Sequence, residues 1–139
     1  MILLIDSNVI LDVLQNREPH YKFSAKVLGI CGANAEIKAF VSALSFANIS
    51  YIMRKELDAE KIESVYHSLS KIFNFEDFKN ADIQTAIKLH WKDFEDAIQF
   101  VTAERLKVDY IITRNVKDFE SKKIPVVTPA EFLKIFQED

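Results

Sequence analysis

The chain has 139 residues, of which 49% are hydrophobic, 12% aromatic and 28% charged; this excludes a disordered chain and fits one folded domain spanning residues 1–139. A formal net charge of -3 lacks the excess of Lys and Arg that nucleic-acid binding commonly leaves on a domain. The single cysteine, Cys31, excludes a disulfide framework, and no Cys/His set has zinc-finger spacing or apolar run the ~20 residues of a membrane span, so a cytoplasmic protein is expected.

Ile2 to Ile5 is a continuous apolar run that ends in Asp-Ser-Asn. It reads as a strand buried on both faces and leading into a turn, with Asp6 at its carboxyl end. Val9, Leu11, Val13 and Leu14 predict a helix from about Asn8, and Phe23, Val27, Leu28 and Cys31 predict a second one that the glycines stop. A short strand is expected near Phe40-Val41. Ser42 can cap the helix after it, and Asp58 another that runs to about Ser70. Ile72, Phe73 and Phe75 mark a weak third strand, and Ala81 to Trp91 reads as a helix with Ile83, Ala86, Ile87 and Trp91 on one side. Asp93 opens a strong helix carrying Phe94, Ala97, Ile98, Val101 and Leu106; strands at Tyr110–Ile112 and Val126–Val127 and a final helix from Pro129 complete the chain. Strands separated by helical segments predict an α/β fold, a parallel sheet covered on both faces.

Functional groups of an open parallel sheet gather outside the carboxyl ends of its strands. That rule selects Asp6 after the first strand, Arg114 and Asn115 after Tyr110–Thr113, and Asp93 with Asp96 in the first turn of their helix. Asp93 and Asp96 are three residues apart and face nearly the same way. Asp93 suits an N-cap. Asp96 sits beside the buried stripe that begins at Ala97, where a carboxylate needs a partner, and a divalent cation suits several carboxylates at once. Basic residues concentrate from Arg17 to Lys26, at Arg54-Lys55, and at Lys117 with Lys122-Lys123, each by default a solvated surface.

Several segments resemble the PIN domain family. Leu3-Leu4-Ile5-Asp6-Ser7-Asn8-Val9-Ile10-Leu11-Asp12 is similar to the family's opening segment, Asp93-Phe94-Glu95-Asp96-Ala97-Ile98 to its acidic helix start, and Tyr110 to Phe119 to its last catalytic strand and turn. Val126 to Leu133 extends the resemblance to nearly the whole chain, which is most like the short toxin-like members of bacterial toxin–antitoxin pairs. The resemblance implies a three-layer α/β/α sandwich around a central parallel sheet. It also implies a metal-dependent endoribonuclease whose pocket holds Mg²⁺ or Mn²⁺, with Asp6 and Asp96 as metal ligands. The cation would activate water near neutral pH and offset charge building on the phosphate. An RNA substrate, a homodimer and a cognate antitoxin whose tail enters the acidic groove are implied in the same way.

The sequence departs from the family where a glutamate is usual, at Asn48, and Asn115 stands where an aspartate is frequent. These amides make a mixed acid–amide pocket, in which Asp118 can compensate by sharing a face with Asn115. Asn8 and Asp93 are expected in support, Thr113 and Arg114 as phosphate contacts or, for Arg114, as an ion-pair partner, and Asp12 as structural. A catalytically weakened PIN-like domain acting in RNA or protein binding is the alternative. A third reading is another doubly wound phosphate-handling hydrolase, but Asp6-Ser7-Asn8 lacks the second aspartate that aspartyl-phosphate phosphatases place two residues on. His20, His67 and His90 are too scattered to form a ligand set.

Overall fold

The computed structural model describes residues 1–138; Asp139, at the end of the expected domain, lies outside the described residues. In chain order the elements are β1 (Ile2–Ile5), α1 (Ser7–Leu14), α2 (Tyr21–Ala33), β2 (Lys38–Ser42), α3 (Ala43–Met53), α4 (Ala59–Ile72), β3 (Asn74–Glu76), α5 (Asn80–Leu89), α6 (Phe94–Leu106), β4 (Tyr110–Ile112), a 3-10 turn (Val116–Asp118), β5 (Val126–Val127) and α7 (Pro129–Glu138). The five strands form one sheet in the order β3-β2-β1-β4-β5, and every pairing is parallel. Leu3, Leu4 and Ile5 lie opposite Tyr110, Ile111 and Ile112 of β4. The chain leaves β1 toward β2 and leaves β4 toward β5, so the order reverses between β1 and β4. Such a switch point opens a crevice at the strands' carboxyl ends.

Alternation along the strands assigns the two faces. Leu3, Ile5, Ala39, Val41, Ile112 and Val127 pack into one core with Val27 of α2, Ile49 of α3, Leu69 of α4 and Phe132 of α7. Leu4, Phe40 and Ile111 point the other way, against Phe100 and Ala103 of α6, while Ala86 joins α5 to Ala97, Ile98 and Val101 of α6. Leu3, Leu4 and Ile5 are each 0% exposed, which explains why β1 reads as an unbroken apolar run rather than an alternating one. The result is the α/β/α sandwich expected from the sequence.

The caps follow the expected side chains: Ser42 accepts from the Ser45 N–H at 3.1 Å, and Asp58 from the Lys61 N–H at 2.9 Å. Three local expectations are corrected. The glycines do not stop α2, which runs through Gly29 and Gly32 to Ala33; neither has positive φ, and the packing of Val27, Leu28 and Cys31 outweighs their low helix propensity. Helix α4 continues past Ser70 to Ile72, which itself packs against the core. Ile87 of α5 is exposed instead of sharing the packed side with Ala86. The polar Asp82 is buried there in its place, bound to Arg105.

Candidate active site

Asp6 is fixed where β1 turns into α1. Its N–H bonds to the Ile112 carbonyl of β4 at 3.0 Å, and its Oδ1 caps α1 by accepting from the Ser7 N–H at 2.7 Å. Its other oxygen, Oδ2, accepts from the Thr113 hydroxyl at 2.8 Å. That hydroxyl in turn accepts from Asn8 Nδ2 at 3.3 Å and from the Asn115 N–H at 3.1 Å, while Asn8 Oδ1 takes the Arg114 N–H at 3.2 Å. Asn8 therefore acts on Asp6 through Thr113. Thr113 is itself 0% exposed, so it holds a carboxylate and is not open to phosphate. Burial pushes the Asp6 carboxyl above the usual carboxylate range, opposed by hydrogen bonds from Thr113, Ser7 and Gln99.

Across the crevice, Asp93 caps α6 by accepting from the Asp96 N–H at 3.0 Å. Asp118 ends the 3-10 turn that follows Asn115. Asp93, Asp96 and Asp118 each offer a carboxylate oxygen within 4.8 Å of the others. Burial, then the negative charges of Asp6, Asp93 and Asp118, push the Asp96 carboxyl up to about 8. Among the described residues none of the ion pairs reaches these four aspartates. Asp93 is thus both the expected cap and a member of the carboxylate cluster.

Asn115 is exposed and Asn48 is half-buried on α3; among the described residues, no hydrogen bond ties either side chain to Asp6 or Asp96. The α3 side chain bonded into the site is Ser45. Its Oγ accepts from Gln99 Nε2 at 2.6 Å, and the same nitrogen lies 3.4 Å from Asp6 Oδ1. Gln99 is 3% exposed and its Oε1 has no hydrogen-bond partner. Sequence reasoning missed both residues. The available signal was a lone amide within the apolar run Ala97–Val101, three residues after Asp96 and so on the same helix face.

Arg114 takes the ion-pair role. Its Nε lies 2.7 Å from Asp12 Oδ2, and Asp12, which is 0% exposed, also accepts from the Ser24 hydroxyl at 3.1 Å. The Nε–H does not point along the contact, so this is charge pairing rather than a hydrogen bond. Asp12 is structural, as expected.

The donor set fits a divalent cation. Mg²⁺ and Mn²⁺ prefer hard oxygen ligands, and the repulsion that helps push the Asp96 carboxyl up to about 8 would be relieved by a cation among the carboxylates. Asp93, Asp96 and Asp118 have the mutual spacing to share it, with Asp6 acting on Asp96 from β1.

Comparison with known proteins agrees with this geometry. The PIN domain family matches residues 3–117. Ribonuclease VapC1 of Aquifex aeolicus (strain VF5) is 30% identical over 133 residues, covering 92% of this chain and 90% of that protein. Among solved structures, a toxin–antitoxin complex from Klebsiella pneumoniae superposes with a TM-score of 0.70 at 23% identity, over 91% of this chain and 97% of its own. VapBC2 from Rickettsia felis, bound to a DNA fragment from its promoter, gives 0.69 at 15% identity over 92% and 98% of the two chains. These two likenesses establish the fold. The chain belongs to the PIN domain family.

Proposed function

We propose that residues 1–139 form one cytoplasmic PIN-type endoribonuclease that hydrolyses RNA phosphodiesters with Mg²⁺ or Mn²⁺ at the Asp6–Asp96 pocket. The observation that carries this reading is Asp96: a carboxyl clustered with Asp93 and Asp118, pushed up to about 8 by burial and by three other aspartates, with no cationic side chain paired to it among the described residues. Without a ligand the crowding is relieved by the proton that Asp96 keeps; a divalent cation relieves it when Asp96 is ionised. Asp96, Asp93 and Asp118 would hold the cation, and Asp6 adds its negative charge to the pocket. Thr113, Ser7 and Gln99 fix the Asp6 carboxylate, and Asn8 fixes Thr113. When bound, the cation makes water nucleophilic near neutral pH and offsets charge on the phosphate. Binding also requires Asp96 to release its proton, so affinity rises with pH up to about 8. The Aquifex relative's name as a ribonuclease supports the substrate. Neighbours solved as toxin–antitoxin complexes support a toxin held by a cognate antitoxin, and we propose a homodimer for the chain itself.

The test is cleavage of an RNA oligonucleotide in Mn²⁺, Mg²⁺ or EDTA by the unaltered chain, Asp6→Ala and Asp96→Asn. Cleavage in either metal, absent in EDTA and in both variants, is the expected result; cleavage that survives in EDTA or in both variants refutes it. Asn48 lacks the charge usual at its position, which favours a catalytically weakened binding domain as the second reading. Calorimetry showing no Mn²⁺ uptake at millimolar concentration, restored by Asn48→Glu, selects that reading.

A further inference from the structure

One end of the basic run Arg17 to Lys26 is brought by the fold against the last catalytic turn. His20, Phe23 and Ser24, at the start of α2, line a pocket of about 280 Å³ with Arg114 and with Thr128 and Ala130 at the start of α7. No acidic residue lines it, although the whole chain carries a net charge of -3. Phe23 is 44% exposed, an aromatic ring left partly in water beside Arg114 in the pocket lining. Arg114 is held on one side by the buried Asp12, and among the described residues no hydrogen bond engages its terminal Nη groups. The guanidinium is therefore pre-positioned with its outer donors available, an arrangement suited to phosphate.

The pocket adjoins the acidic centre. Arg114 directly follows Thr113, whose hydroxyl donates to Asp6, and the Arg114 N–H bonds to Asn8. Thr113 bonds Asp6 while the next residue, Arg114, pairs with Asp12 and lines the pocket, so one turn of chain links the acidic cluster to the pocket. Its volume lies near the lower end of the ~300–1,000 Å³ of small-ligand sites. A partly exposed aromatic ring beside an arginine is the combination by which proteins hold unpaired bases without reading their sequence.

We propose that this pocket binds a single-stranded RNA nucleotide next to the scissile phosphate, with the base stacked on Phe23 and the phosphate held by Arg114 and His20. The assignment rests on the ribonuclease reading for its substrate class, but binding tests it separately from cleavage. Protein in EDTA is titrated with a fluorescein-labelled hexaribonucleotide, using the unaltered chain, Phe23→Ala, Phe23→Trp and His20→Ala; all three substitutions are at the surface, and thermal melts report folding. Phe23→Ala is expected to weaken binding about tenfold, the scale of one lost base stack, while Phe23→Trp retains it and His20→Ala weakens it by a smaller factor. In Mn²⁺, Phe23→Ala raises KM and leaves kcat within about twofold, the pattern of lost ground-state binding. Unchanged RNA affinity in both Phe23→Ala and His20→Ala overturns the subsite and leaves the pocket to an apolar side chain of a protein partner. If the folded unaltered chain binds as proposed but cleaves nothing in any metal, the ribonuclease reading falls and the subsite stands.

Discussion

Helix α6 joins two acidic clusters made of the same chemical groups. At its carboxyl end Arg105 reaches Asp82 Oδ2 at 3.0 Å and Glu76 Oε1 at 2.9 Å, and also donates to the Asp77 carbonyl at 2.8 Å. Burial alone would raise the Asp82 carboxyl, but the Arg105 guanidinium and the Lys79 N–H hold it below its ordinary value. At the amino end of α6, Asp93 and Asp96 meet Asp6 and Asp118, and Asp96 rises to about 8. The difference between the two ends is a guanidinium. Carboxylates that tie α5, α6 and the end of β3 together carry their counter-charge within the chain. Among the described residues those at the switch point between β1 and β4 have none, which is the ground for proposing that an external cation belongs at this end.

That contrast can be broken or sharpened by substitution. The largest effect is expected at the unneutralised end: Asp96→Asn lowers RNA cleavage on the order of a thousandfold, equivalent to about 4 kcal/mol of barrier. In a chelator, the same variant melts higher than the parent at pH 8, because the amide imitates the protonated form; a lower melting temperature there contradicts the crowding argument. At the neutralised end the sign reverses. Arg105→Met leaves the nearly buried Asp82 unpaired and costs about 2–4 kcal/mol of stability, tempered by the partial exposure of Arg105. Denaturant midpoints measure this, and kcat per folded molecule remains unchanged. A parent-like midpoint would show that Arg105 is dispensable.

Thr113→Val is smaller in stability, about 1–3 kcal/mol, since it strands Asp6 Oδ2 and the donors of Asn8 and Asn115. Loss of Asp6 orientation lowers cleavage by roughly 10–100-fold, and activity retained within twofold would remove Thr113 from the site. The pH dependence is the gentlest readout. The folded state holds the Asp96 proton up to about pH 8, whereas the unfolded chain releases it near 3.8. The folded state therefore binds more protons in between, and the stability from this group is full below the lower value and lost as pH rises toward 8. Metal-free protein should melt progressively lower across that window, with Mn²⁺ or Asp96→Asn flattening the slope; a rising profile would contradict the sign.

Much of the fold was legible because its signals are local. The unbroken run Ile2–Ile5, the capping side chains Ser42, Asp58 and Asp93, and Pro129 at the start of α7 each act within a few residues. Asp6 and Asp96 were legible as candidates because a carboxylate after a buried strand or beside a buried stripe demands a partner. The glycines of α2 and the exposed Ile87 misled, because burial against distant elements overrides local propensity.

The sequence alone determined which segments become strands and helices, since hydrophobic period and capping chemistry lie along the chain. Only tertiary structure decided which carboxylates meet. It brought Asp118 to Asp93 and Asp96, bonded Gln99 to both Asp6 and Ser45, paired the Nε of Arg114 with Asp12, and gave Asp82 an arginine. Charge energies depend on distance and burial, and both are set by packing between residues up to 107 positions apart, as in the Thr113–Asp6 bond.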